Sequence, residues 1–316
     1  MPDLFTPAPI SLEEQLPIFQ ALSSEFRLEI LNHIISRNGI SLKQLAKELL
    51  VPPSTLTPHI QKLTACGLIS VEEEAASHGT QKCCYPKMSH ILIDFDIISN
   101  RLPLYKAEIP VGQYSDFNVA PTCGLATTSS FLGILDEPKL FTHPESYKAG
   151  ILWFTTGYIE YMLPNFTIGN PDIEKIMLSF EISSEAPGTE NDWPSRIVFS
   201  LNGIELGSWV SPGDYGDRRG RQNPDWWFDF LNQYGLLKVL SITTTGCYMD
   251  DEKISSVTID DLQIDSQSVM KFRFEVPAGT SLSHGLTLYG QGFGDYNQHI
   301  RLVIQYRKKQ KEGEFH

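Results

Sequence analysis

Residues 41–87 read SLKQLAKELLVPPSTLTPHIQKLTACGLISVEEEAASHGTQKCCYPK, and this stretch decides the fold of the first third of the chain. Ser41 stands where an N-cap would, ahead of Leu42, Leu45, Ala46 and Leu49 at helical spacing on one face. Pro52-Pro53 stops that helix, and a second is expected to restart at Ser54 with Leu56, Ile60 and Leu63 on its inner face. Pro58 lacks an N–H, a loss that near the first turn removes no intrahelical bond. Gly67 then ends the helix. Leu68-Ile69-Ser70-Val71 alternates like a strand and Cys83-Cys84-Tyr85 reads as its hairpin partner, which leaves residues 75–82 as a wing between them.

The residues expected on the outer side of the second helix are mostly short and polar. Thr55, Thr57, His59 and Gln61 have the reach to meet base edges in a major groove, and Ser54, Lys62 and Lys82 to meet phosphates, with Pro58 beside them and His78 at the wing. Together with Ala21-Leu22-Ser23-Ser24-Glu25-Phe26-Arg27-Leu28-Glu29-Ile30-Leu31 upstream and Cys66-Gly67-Leu68-Ile69 downstream, the stretch resembles the winged helix-turn-helix repressors of the ArsR type. The resemblance implies a homodimer that places residues 54–66 in the major groove of double-stranded DNA and is released by a ligand. Two departures matter. The metal-sensing members carry a Cys-x-Cys pair in the first helix of the motif, and residues 44–50 hold no Cys, so no metal is expected there. The wing offers only His78 and Lys82 beside Glu72-Glu73-Glu74, and weak non-specific DNA affinity follows.

At 316 residues, 41% of them hydrophobic, the chain is long enough for two folded parts. We divide it at residues 1–100, a DNA-binding domain, and 101–316, a ligand-sensing or assembly domain. The net charge is −13; residues 1–100 hold seven Lys and Arg against eleven Asp and Glu (−4), and the remainder eighteen against twenty-seven (−9). Bulk charge therefore does not drive nucleic-acid binding, and a DNA face must be a local patch. The five cysteines, Cys66, Cys83, Cys84, Cys123 and Cys247, are odd in number and without CxxC spacing. With no signal-peptide pattern in residues 1–10 and no apolar run long enough to span a bilayer, a reduced cytoplasmic setting away from membranes is expected.

Residues 1–10 are Pro-rich and expected to be frayed or draped over a partner subunit. Residues 12–22 and 25–37 read as helices, the second carrying Phe26, Ile30, Leu31, Ile34 and Ile35 as a broad apolar stripe. Two readings of that width stay open: a dimer interface, joined by residues 91–98, or packing beneath the motif. Residues 89–109 form the exit from the first domain.

Beyond it strands take over. Residues 109–119 look extended, and the runs 151–161, 176–182, 196–201, 204–210, 236–244, 257–264, 270–276, 285–289 and 300–306 are short, aromatic and β-branched. Asn202-Gly203 is a strong hairpin signal between two of them. The expected fold class is therefore α+β: an N-terminal winged helix-turn-helix domain followed by a large antiparallel β-sandwich of jelly-roll kind.

One connection in this domain stands out, Ser211-Pro212-Gly213-Asp214-Tyr215-Gly216-Asp217-Arg218-Arg219-Gly220-Arg221-Gln222-Asn223-Pro224-Asp225-Trp226-Trp227. Loops of that length in compact domains are usually functional or disordered, and the aromatic content argues against disorder. Trp rings stack on sugar faces while Asp and Arg bond hydroxyls, so Asp214, Asp217, Arg219, Trp226 and Trp227 are candidate contacts to a carbohydrate-like ligand. The alternative is that the Trp pair plugs the sandwich end and the arginines pair with local carboxylates. Trp153 and Tyr158 would join a ligand site only if their strand faced the same end.

Signs of catalysis are few. Pro277-Ala278-Gly279 followed by His284 faintly resembles half of a cupin metal pattern, but the His spacing is wrong and no His-x-His exists; His143 and His299 are scattered. Asp214, Asp217 and Asp225 could form a glycosidase carboxylate pair, as could those of any acidic loop. No enzyme and no cofactor are expected. The reading is a dimeric, DNA-binding transcriptional regulator with a sensing sandwich, or else one whose sandwich serves only assembly or protein interaction.

Overall fold

A computed structural model describes residues 12–37, 39–75, 80–87, 102–167, 172–264 and 269–307. The expectations for residues 1–10, for residues 91–98 and for His78 lie outside the described residues. The chain divides into two compact units, Met1–Arg101 and Leu102–His316.

The first unit opens with α1 (Leu12–Leu22) and α2 (Glu25–Ser36), followed by β1 (Ile40–Ser41), α3 (Leu42–Glu48), α4 (Pro53–Ala65), β2 (Ile69–Ala75) and β3 (Thr80–Pro86). Its core is the sum of the inner faces: Ile30, Leu31 and Ile34 of α2, Leu45 and Ala46 of α3, Leu56, Ile60 and Leu63 of α4, and Ile69 and Cys84 of the ribbon. Arg27 is buried against this core and donates to the carbonyls of Gln20 and Ala21, which fastens the C-terminal end of α1 to α2. β3 is central in a small antiparallel sheet, with β2 on one side and β1 on the other.

The second unit is antiparallel throughout. Its strands are β4 (Leu104–Ile109), β5 (Asp116–Ala126), β6 (Ile151–Leu163), β7 (Asp172–Ser183), β8 (Ser195–Leu201), β9 (Ile204–Ser211), β10 (Leu236–Thr243), β11 (Gly246–Met249), β12 (Glu252–Ser255), β13 (Met270–Val276), β14 (Leu286–Tyr289) and β15 (Ile300–Arg307). One half runs β12-β11-β10-β7, extended by β15 and β4; the other runs β6-β13-β8-β9, with β5 on the far edge of β6. Short β14 joins them, because β6 pairs with β14 over residues 151–154 and with β13 over 157–163, while β7 pairs with β15 over 172–179 and with β14 over 181–183. At the other end the sheet nearly closes: Ser255 Oγ on β12 donates to the Leu206 carbonyl of β9.

The two halves face each other across one core. β13 alternates buried Met270, Phe272, Phe274 and Val276 with more exposed residues, and β8 does the same. Phe180 of β7 meets Phe274 edge-to-face with centroids 4.9 Å apart and packs on Phe199 from β8. Asn202 and Gly203 both have positive φ, so the β8–β9 hairpin closes through the two-residue turn its sequence signals.

Three expectations are corrected. Residues 257–264 are not a strand: Asp261 Oδ2 accepts from both the N–H and the hydroxyl of Thr258, and the segment curls into a 3-10 turn at Asp260–Leu262 that buries Ile259 and Leu262. Residues 109–119 are interrupted by a turn between β4 and β5. Pro53 does not stop a helix but starts one, as the first residue of α4 with Pro52 as its N-cap.

Candidate nucleic-acid interface and the loop of the second unit

α3 and α4 are set by their ends. Ser41 Oγ accepts the Gln44 N–H at 3.3 Å, the N-cap its position suggests. α3 closes with Val51 N donating to the Ala46 carbonyl across Leu50, which sits at φ 55°. At the far end of α4, Gly67 (φ 76°) lets its own N–H reach Thr64 and the Leu68 N–H reach Leu63, so the chain reverses directly into β2. The turn between the helices and the exit from α4 are thereby both fixed by backbone bonds.

With Leu56, Ile60 and Leu63 sealed in the core, α4 presents Ser54, Thr55, Thr57, Pro58, Gln61 and Lys62 to solvent. These six proposed contacts share one exposed helix surface. His59 does not join them. Its ring is half-buried and edge-on to Phe26 at 5.0 Å, and its Nδ1 is buried without a hydrogen-bond partner among the described residues. One turn of helix brings position 59 next to buried Leu56, Ile60 and Leu63, so it turns toward α2. Pro58 also differs from expectation. It is the sixth residue of α4, so the N–H it lacks would have bonded to Ser54 in the helix interior. Thr57 Oγ1 meanwhile donates back to the Pro53 carbonyl at 3.0 Å, leaving its lone pairs outward.

Cations near this surface come from helices more than from the ribbon. Lys43 and Lys47 are exposed on α3, the helix that in such motifs crosses the backbone, and sequence reading passed over them because α3 was considered only for its apolar face. Lys82 is exposed on β3 but is paired in register with Glu73. Glu74 is occupied at the ribbon, accepting from the Tyr85 hydroxyl and from Cys83 Sγ; burial first, and then this contact, pushes the Cys83 thiol up to about 11. Such a thiol is a poor nucleophile at neutral pH.

Residues 23–70 match the family model described as winged helix-turn-helix DNA-binding. The first unit is a winged helix-turn-helix DNA-binding domain. The match spans α2 to the start of β2, the elements that carry the exposed α4 surface. No curated protein matches the chain. No helix among the described residues is long and apolar enough to cross a membrane.

In the second unit, the connection from β9 to β10 forms an additional layer over the outer face of β6, β7 and β14. Trp227 is buried to 1% exposure against Ile151, Trp153, Tyr289 and Phe293, and its Nε1 donates to the Asn232 carbonyl at 2.9 Å. Trp226, its neighbour, is half-exposed and donates to the Thr128 carbonyl. Arg219 holds the loop's own Pro224 and Trp227 carbonyls and the Asp229 carboxylate. Asp217 accepts from the Tyr234 hydroxyl at 2.6 Å. Asp214 is fully buried. The five proposed ligand contacts therefore do not converge on one open site: Trp227 and Asp214 are internal, Asp217 and Arg219 brace the loop, and Trp226 alone keeps a partly open ring. Trp153 joins Trp227 in this second core, whereas Tyr158 lies apart, bonded to Asp116 and stacked under Arg273.

Sequence reading missed the polar groups that fasten this layer. Glu181 lies on β7 with both neighbours buried, and its carboxylate accepts the N–H groups of Gly235, Asp295 and Tyr296. Glu185 accepts from Thr122, Thr287 and the Asn232 amide. Asp214 Oδ2 accepts from the Ala186 N–H, while Oδ1 is buried with no partner among the described residues. Asp295 forms a two-bond pair with Arg218, whose guanidinium lies 3.8 Å over the Tyr234 ring. Burial pushes the Glu181 carboxyl up to about 8 against the pull of its three N–H donors. Burial likewise lifts Asp214 to about 8, and burial with the nearby Asp214 charge holds Glu185 well above the usual carboxylate range. Among the described residues no cluster of His, Cys, Asp or Glu is arranged to hold a metal ion.

Proposed function

We propose that the chain is a transcriptional regulator of ArsR type that binds an operator as a homodimer and whose second unit senses a small ligand, a carbohydrate being the class its loop suggests. The observation that carries the reading is the surface of α4: an apolar face closed into the core and an opposite face of hydroxyls, an amide and an ammonium, at the place where such a motif meets base edges. Thr55, Thr57 and Gln61 are the base-edge contacts, and Ser54, Lys62, Lys82, Lys43 and Lys47 the phosphate contacts. The homodimer reading draws on α2, where Leu28 and Ile35 stand one above the other, 47% and 46% exposed, on the side away from the core. Operator half-sites about 34–36 Å apart require two recognition helices at fixed separation, which a dimer supplies. On this reading the protein acts in the cytoplasm as a repressor released by its ligand, and carries out no catalysis.

The test is operator selection from random duplexes with the full chain, followed by affinity measurements on substituted proteins. Gln61→Ala is expected to reduce discrimination by about 1–3 kcal/mol, whereas Lys62→Ala weakens all duplexes alike and flattens the salt dependence by about one unit of slope. A Thr57→Ala/Gln61→Ala protein that binds the selected operator as the unmodified chain does would remove α4 from the interface.

A further inference from the structure

We propose that the outer rim of the loop layer, formed by Trp226, Phe228 and Phe230 around Phe131, is a stacking surface for a neutral oligosaccharide. The inference deepens the ligand-sensing reading and rests on it, but moves the site from the loop's charges to its rings.

Phe228 and Phe230 are 50% and 65% exposed, lie within 11° of parallel and have centroids 5.3 Å apart. Phe131 continues the row 24° from the plane of Phe228, and Trp226 meets Phe131 edge-on at 5.1 Å. Rings set outward in this way are not loose ends. The Gln233 amide donates to the carbonyls of Phe228 and Leu231, Arg219 holds those of Pro224 and Trp227, and Trp226 Nε1 is fixed to Thr128. The main chain beneath the rings is thus committed to a single conformation that keeps apolar faces in water, a pattern that marks a binding surface.

The rim selects the occupant. Asp229 is 87% exposed along its side chain, Asp225 is exposed, and Ser129 and Ser130 flank the Trp226 anchor. A pyranose offers C–H faces to aromatic rings and hydroxyls around its edge, which these carboxylates and hydroxyls can accept from and donate to. With Asp229 paired to Arg219 at 2.7 Å, the exposed carboxylate of Asp225 gives the rim a net negative charge, which disfavours phosphorylated or uronic-acid ligands. Phe228 stacks between Phe131 and Phe230, so the ring surface left for sugars is that of Phe230 at one end of the row and Trp226 at the other, two separated contacts that suit more than one sugar unit.

The experiment uses the full chain without DNA, titrated by calorimetry and tryptophan fluorescence with cellopentaose, maltopentaose, xylopentaose, mannopentaose and galactopentaose, and with a galacturonic-acid pentamer as the charged control. At least one neutral pentamer is expected to bind at millimolar concentration or below, and the acidic one not. Phe230→Ala, at a site too exposed to matter for folding, should weaken that binding about tenfold, and Phe230→Trp should restore or tighten it. The proposal is overturned if no neutral pentamer binds, if the acidic pentamer alone binds, or if binding ignores both Phe230 substitutions. It also falls if Phe228→Ser and Phe230→Ser abolish a self-association seen by light scattering, since a second copy of the chain would then be the occupant. Operator affinity is read separately, so a protein that binds saccharide but no operator sinks the DNA reading and leaves this one standing.

Discussion

Asp214→Asn probes the buried carboxyls by changing one atom. Asp214 has 0% exposure, a backbone donor on Oδ2 and, among the described residues, no partner for Oδ1, and burial lifts its folded titration to about 8 against an ordinary value of 3.8. A group in that position keeps its proton in the folded chain at pH values where the unfolded chain has lost it. The folded state therefore binds more protons between about 4 and 8, and stability must fall as pH rises through that window and level off above it. The gap between 3.8 and about 8, at ~1.4 kcal/mol per pH unit, is on the order of 5 kcal/mol in total. Glu181 and Glu185 are raised in the same direction and steepen the fall.

All five tryptophans, Trp153, Trp193, Trp209, Trp226 and Trp227, lie in the second unit, so fluorescence-detected urea unfolding reports on it alone. The unmodified chain is expected to lose stability from pH 5 to pH 8. Asn cannot ionise, so the substituted chain should lose less, the two curves diverging by at most ~1.4 kcal/mol per pH unit, and it should be the more stable of the two at pH 8. If stability of the unmodified chain is flat or rises with pH across this range, or if Asp214→Asn leaves the slope untouched, then the carboxyl is ionised in the folded protein and the argument fails.

Trp227→Ala should cost about 3–5 kcal/mol and lower the melting temperature with no ligand present, while Trp226→Ala should cost clearly less; equal losses would contradict the split between a buried plug and a rim residue. Leu28→Glu with Ile35→Glu should convert a homodimer to a monomer in light scattering, and a dimer that survives both charges would move the interface off α2. Trp227 reaches Glu185 through Asn232, so Trp227→Ala and Glu185→Gln should be coupled by about 0.5–3 kcal/mol in a double-mutant cycle, whereas additive costs would mean the plug and the carboxyl network are independent.

Much of the first unit was legible because its signals are local. Apolar spacing gave α2, α3 and α4, and Ser41 and Gly67 marked ends that backbone geometry requires. Pro53 was misread because a proline at the first position of a helix and one that ends the helix before it look alike when two prolines adjoin. In the second unit, β13 and β8 carry strict alternation, and the β8–β9 hairpin carries an Asn-Gly turn. The β11–β12 hairpin was missed because its turn is Asp250-Asp251, both at positive φ, where glycine or asparagine would have announced it.

The loop shows a different limit. Trp226 and Trp227 are adjacent and chemically identical, yet one faces the rim and the other the second core. What separates them is which face of β6 and β14 needs cover, and that depends on residues more than 60 positions away: Trp153 and Ile151 point outward from the main core because Leu152 and Phe154 point inward, and Tyr289 does the same on β14. An apolar outer face on a sheet must be covered, so the loop's Trp and Arg content is explained first by a covering layer, and only its remainder, Trp226 with Phe228 and Phe230, is left for a ligand. Glu181 tells the same story from the polar side. Strand alternation puts it opposite core Phe180, where it would be a solvated acid, but the layer covers that face too and must answer its carboxylate with the N–H groups of Gly235, Asp295 and Tyr296. An acid inside an apolar run such as Ile176-Met177-Leu178-Ser179-Phe180-Glu181-Ile182 is therefore, beside the unbroken apolar run Ile151-Leu152-Trp153-Phe154, a signal in the sequence that this sheet is covered on both sides.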